Sequence, residues 1–175
     1  IDSHTDTTPP VPGNEHNAGT QFHYAAADRW IDPAASYHIG IRGTTFLPGG
    51  FPRTYALGYR NIITLNQLLE RGLPDVLKEL QSALKGRPVY VCLDMDAFDP
   101  SCAPGVCAPS WGGLTAREGL AFLRGLAGLN IVGADINTVS PPHDVMGMTA
   151  FLAAALMYEV LVVLCKNRGL DAPEN

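Results

Sequence analysis

An α/β fold built on a mostly parallel sheet with helices on both faces is what this chain of 175 residues predicts. Two observations carry that reading. Short apolar runs alternate with segments whose leucines recur every three or four residues. Glycine or proline marks nearly every change of period.

The elements follow in order. Ile1-Asp2 reads as the end of a strand that delivers Asp2 into a loop. Tyr37-His38-Ile39-Gly40-Ile41 and Asn61-Ile62-Ile63-Thr64 are short strands. Leu65, Leu68, Leu69, Leu73, Val76, Leu77, Leu80 and Leu84 mark amphipathic helix, interrupted near Gly72 and Pro74. Gly86 stops it, and Pro88 leads into a buried strand over 89–93 that runs directly into Asp94 and Asp96. A loop rich in Pro and Gly spans 100–113. Thr115 then caps a helix, with Glu118 at the capping-box position. A strand over 129–136 and an apolar helix over 149–165 close the pattern. That last helix carries Glu159 and falls short of the roughly 20 apolar residues of a membrane span. It is therefore read as a helix buried between sheet and neighbouring helices.

Composition narrows the function. With 46% hydrophobic and 17% charged residues the chain is ordinary globular material for one domain. A net charge of −5 offers no footprint for nucleic acid or an anionic membrane. Cys92, Cys102, Cys107 and Cys165 contain no CxxC pair, so no zinc module is read; a Cys102–Cys107 loop disulfide is the alternative to free thiols. Cys92 and Cys165 read as small core residues. No secretory leader is read in these residues, which a truncated chain could have lost together with an organellar signal; a reducing cytoplasm is the expected compartment.

The chemistry lies in Asp2-Ser3-His4-Thr5-Asp6 and Asp94-Met95-Asp96. In extended chain, alternate side chains share a face, so each string would present its acids and His4 together. These five side chains suit two divalent ions roughly 3.5–4 Å apart with bridging carboxylates, an arrangement that activates water at neutral pH. An oxygen-rich set with one His favours Mn²⁺, with Ni²⁺ as the alternative. In open α/β sheets ligands bind beyond the carboxyl ends of strands, where both strings and Asp135 are predicted to lie. Asp99 is read as orienting the metal loop. Arg42 and His143 are read as substrate contacts, with a structural ion-pair partner as the equal alternative for Arg42, and Trp111 as a wall of the pocket or a packing residue.

IDSHTDT resembles the DAHxD motif of the ureohydrolases, the arginase and agmatinase family, and LDMDAFDPSCAPGV resembles its SxDxDxxDPxxAPG motif. HIGIRG, GGLT, NIVGADI, VSPPHD and TAFLAAAL are similar to agmatinase-type segments in the same order. The resemblance implies a three-layer arginase-like fold and hydrolysis of a guanidino C–N bond with release of urea. It implies Asp2, His4, Asp6, Asp94 and Asp96 as metal ligands, with Asp6 and Asp94 bridging. It also implies a homo-oligomer, a trimer or hexamer. His16 resembles the family's proton-shuttling His, with His23 as rival, and Asn17 beside it is a candidate substrate contact. The family's further His ligand, in a GGxHS-type segment upstream, has no counterpart here. Residues 1–175 are therefore expected to be the C-terminal part of a single domain whose N-terminal segment is missing. Agmatine is the substrate that the resemblance implies on average; Thr138 stands where the family carries the Glu that grips the guanidinium, which makes a small guanidino substrate, free guanidine included, the alternative. Two other readings are a non-catalytic truncated relative and an Asp-x-Asp phosphotransferase; the latter leaves DSHTD unexplained.

Overall fold

A computed structural model describes residues 1–43 and 51–170. Four strands are parallel in pairs: β1 (Tyr37–Ile41) with β2 (Asn61–Thr64), and β3 (Pro88–Asp94) with β4 (Asn130–Asn137). Ile1–Ser3 join the two pairs. The Ile1 backbone nitrogen donates to the Cys92 carbonyl at 2.8 Å and the Asp94 amide to the Ile1 carbonyl at 2.9 Å. On the other side the Asp2 amide donates to Ile39 and the Arg42 amide to Ser3, both at 3.0 Å. The chain start thus lies between β1 and β3 and carries Asp2 to the carboxyl edge of both. Further down that edge-to-edge gap lies a cavity of about 390 Å³, lined by Tyr37–Ile39 of β1, Pro88–Cys92 of β3 and apolar side chains of the helices.

The described residues also form six α-helices: α1 (Gln21–Ala27), α2 (Pro52–Ala56), α3 (Leu65–Arg71), α4 (Leu73–Ala83), α5 (Ala116–Gly125) and α6 (Met148–Asn167). The leucine-rich stretch is split as predicted. Gly72, at φ 79°, ends α3 and opens α4, a conformation glycine adopts without a Cβ penalty. The Thr115–Glu118 capping box forms, and Thr64 with Gln67 makes a second one that sequence reading overlooked.

Val91 and Leu93 of β3 and Ile131 of β4 enter one core with Phe122 and Leu123 of α5 and Leu156, Val160 and Val163 of α6. α6 departs from expectation. It is long and apolar enough to cross a membrane by length and composition, yet only one stripe is buried, Thr149, Leu152, Leu156, Val160 and Val163. Phe151 is 80% and Tyr158 66% exposed. Cys165 also lies on the exposed side, so it is not a core residue, and all four cysteines are free thiols.

Candidate metal centre

Asp94 ends β3, and the chain then tightens into a 3₁₀ turn, Met95–Ala97, whose Asp96 amide donates to Asp94 Oδ1 at 2.7 Å. The two acids are therefore not alternate residues of one extended strand, as the sequence suggested. The turn nonetheless leaves both buried at the sheet edge. The first string departs from extension too. It leaves the ladder after Ser3, and Asp6 adopts φ 47°, a left-handed conformation uncommon for a non-glycine residue.

These turns bring all five predicted side chains together. Ligand atoms of Asp2, His4 and Asp96 lie within 4.8 Å of one another, as do those of Asp2, Asp6 and Asp94. Asp2 belongs to both groups, and Asp6 and Asp94, the bridging positions that the resemblance implies, fall together in one of them. Asp2 is held between β1 and β3, and Asp6 lies beyond the turn on one side. Ser3 steadies Asp96 through its amide at 3.1 Å and its hydroxyl at 2.8 Å. Gln21 donates to Asp6 Oδ2 at 2.8 Å.

The electrostatics call for cations. Burial, then the neighbouring Asp2 and Asp96, push the Asp94 carboxyl up to about 8. Burial, then Asp2, push Asp6 up to about 7, and burial raises Asp2. For Asp96 burial opposes ionisation, but hydrogen bonds from His4 and Ser3 outweigh it and hold the carboxyl low. His4 is raised to about 10 by its bonds to Asp2 and Asp96. Four crowded carboxylates with one imidazole match the charge of two divalent ions, and a buried charge is tolerated only when so paired. The donor set fits the group.

Above the acids lies a second cavity of about 390 Å³, lined by His4, Asp6, Asp94, Asp96 and Thr138, with Ala18, Gly19 and Arg53 among its walls. The Thr138 hydroxyl donates to Asp94 Oδ1 and accepts from the Met95 amide at 3.2 Å. It is therefore engaged with a candidate ligand and does not project as a free gripping group. Its φ of 63° is costly for a β-branched residue.

Of the other expected residues, Arg42 lines the cavity, while His16, Asn17, His23, Asp99, Trp111, Asp135 and His143 do not. His16 is exposed, its ring 4.9 Å from that of Tyr24, and the wall position nearby is taken by Ala18. Asn17 spends its side chain on capping, accepting from the Gly19 amide and donating to the Asn14 carbonyl. His23 stands edge-on to Tyr24 in α1. Asp99 does not contact the metal acids. Its carboxylate accepts from the amides of Ser101, Gly112 and Gly113, closing the ends of loop 100–113. In the cavity wall Arg42 makes no ion pair among the described residues; its guanidinium donates to the carbonyls of Asp96, Ala97, Phe98 and Ser110. Trp111 is exposed, His143 bonds Ser140, and Asp135 pairs with Tyr90 and Asn137. Sequence reading missed Ser3 and Gln21 as supports, and Thr5, Thr7 and Thr54, whose hydroxyls meet in the cavity wall. Only Ser3, Thr5 and Thr7 carried a signal, by lying inside a recognised motif.

The profile of the Arginase family matches residues 1–163. The guanidinopropionase of Pseudomonas aeruginosa is 37% identical over 173 residues, which cover 98% of this chain and 54% of that protein. The agmatinase of Sodalis glossinidius is 37% identical over 171 residues, 98% of this chain and 52% of its own length. Among solved structures, the proclavaminate amidinohydrolase of Streptomyces clavuligerus superposes with a TM-score of 0.88 at 36% identity, covering 95% of this chain and 55% of that one. The chain thus spans about half the length of the curated relatives it matches.

Proposed function

This chain belongs to the arginase family, and from that membership we propose that it forms the metal-bearing part of a hydrolase cleaving a guanidino C–N bond to release urea. The observation that carries the reading is the pair of ligand groups that share Asp2 and whose other members, His4, Asp6, Asp94 and Asp96, line one cavity. Asp2, Asp6 and Asp94 would hold one divalent ion and Asp2, His4 and Asp96 the other. Bound there, two such ions supply a nucleophilic water at neutral pH and stabilise developing negative charge. The oxygen-rich donors favour Mn²⁺.

The protein's own groups do the rest. Asp2 fixes the spacing of the two groups, Ser3 orients Asp96, and Thr138 orients Asp94. His16 is the proposed proton donor to the leaving nitrogen, a task that suits an imidazole and requires its ring to swing from Tyr24 toward the cavity. Thr138 leaves its wall without the carboxylate expected there, which supports a small guanidino substrate, with free guanidine in that class. Losing a carboxylate partner for a buried guanidinium costs about 3–5 kcal/mol unless other acceptors replace it.

Metal counting after dialysis tests the centre. Two ions per chain are expected for the unaltered protein, none retained by Asp2→Asn, and one by Asp6→Asn. Equal losses in the two variants would contradict the shared role of Asp2. Urea release from free guanidine, guanidinopropionate and agmatine then ranks the substrates, and ordinary efficiency with agmatine would remove the inference from Thr138.

A further inference from the structure

Three threonine hydroxyls form a closed ring beside Asp6. Thr5 Oγ1 lies 2.9 Å from Thr7 Oγ1, Thr7 Oγ1 2.6 Å from Thr54 Oγ1, and Thr54 Oγ1 donates to Thr5 Oγ1 at 3.2 Å. Each hydroxyl has one proton, so a ring in which Thr54 gives to Thr5, Thr5 to Thr7 and Thr7 to Thr54 satisfies all three donors. Thr7 and Thr54 are buried at 3% and 2% exposure, and Thr54 comes from α2, far along the chain. We propose that Thr54 is a positioning residue for the metal centre: through this ring it holds Asp6 in the backbone conformation that aims its carboxylate at Asp2 and Asp94.

The geometry gives the reason. Thr5 and Thr7 flank Asp6, and in extended chain side chains two residues apart stand about 6.6 Å from each other. Their hydroxyls meet only because the backbone folds at Asp6, where φ is 47°. That conformation is unfavourable for an L-residue and persists only when its surroundings impose it. Two sets of contacts impose it here. On the α1 side the Phe22 amide donates to the Asp6 carbonyl at 3.0 Å and Gln21 holds the carboxylate. On the α2 side Thr54 ties the two flanking residues together. Groups that orient metal ligands through one intermediate typically affect metal affinity by roughly 10–100-fold when removed. The inference rests on the two-ion reading above, but concerns only the ion held by Asp6.

The test compares Thr54→Val, which keeps shape and removes the hydroxyl, with Thr54→Ser, which keeps the hydroxyl. Mn²⁺ titrations by calorimetry and paramagnetic resonance of the loaded full chain are read alongside thermal melts without metal. Thr54→Val is expected to weaken one ion by roughly tenfold or more, with loss of the spin-coupled signal of a metal pair, while Thr54→Ser restores both. Two ions bound by Thr54→Val within twofold of the parent would overturn the inference, as would a Thr54→Ser variant equally impaired. If Thr54→Val does not fold, Thr5→Val opens the same ring at its half-buried member and carries the same expectations. A parent that takes up no Mn²⁺ refutes the functional reading instead. The ring is then judged by the backbone coupling constant of Asp6 without metal, and an unchanged value in the variant overturns the inference.

Discussion

Asp94 is the most strained charge in the centre. Its Oδ1 accepts from both the Asp96 amide and Thr138, yet burial beside Asp2 and Asp96 still pushes its carboxyl up to about 8. The folded chain therefore binds a proton at Asp94 that the unfolded chain, titrating near 3.8, has lost. This contribution to stability is full below the unfolded value and disappears as pH rises through the folded one. Metal-free protein should lose melting temperature between about pH 4 and 8 for this reason, and Asp94→Asn should flatten that decline. Calorimetric melts of both proteins in chelator, across that window, check it. Parallel pH profiles would show that Asp94 is not the group responsible. Added Mn²⁺ should remove the decline, because ligands bind metal deprotonated and affinity rises with pH.

At the scale of elements, the site depends on two connections that are not helices or strands. Arg42, immediately after β1, gathers carbonyls from the turn after β3 and from loop 100–113. Asp99 closes the same loop through three amides. A planar guanidinium can serve several carbonyls at once, which an ammonium cannot do. Arg42→Ala should therefore destabilise the fold by about 3 kcal/mol, by leaving half-buried carbonyls without donors. Arg42→Lys should recover only part of that loss. Urea denaturation measures both, and a loss below about 0.5 kcal/mol for the Ala variant would place Arg42 among ordinary surface residues. Gly113 explains the tightness of this junction, since a Cβ there would lie 2.4 Å from the Asp99 amide nitrogen and 2.5 Å from the Arg42 guanidinium.

Over the whole molecule, α6 offers Phe151, Tyr158 and Leu161 to solvent along one side. Apolar surface on one helix face is a candidate contact surface. The trimer or hexamer that the sequence resemblance implies is the expected outcome, and light scattering of the full protein checks it. Phe151→Glu with Leu161→Glu should shift the population toward monomer, and an unchanged mass would exclude this face from the contact. Much of the architecture was legible in the linear chain. The alternation of strand and helix, the Thr115–Glu118 cap and the break at Gly72 depend on local spacing, which a sequence displays directly, while the five metal-side candidates were legible through motif resemblance and not through the extended-chain spacing. Tertiary structure alone decided that Asp2 is shared, that α6 buries one face, that His16 rests on Tyr24 and that Thr54 closes a ring on the DSHTDT segment. The physical reason is common to these cases. Each depends on where a backbone turn or a distant element places a side chain in space, and φ at Asp6 or the packing of α2 against residues 5–7 leaves no periodic trace in the sequence.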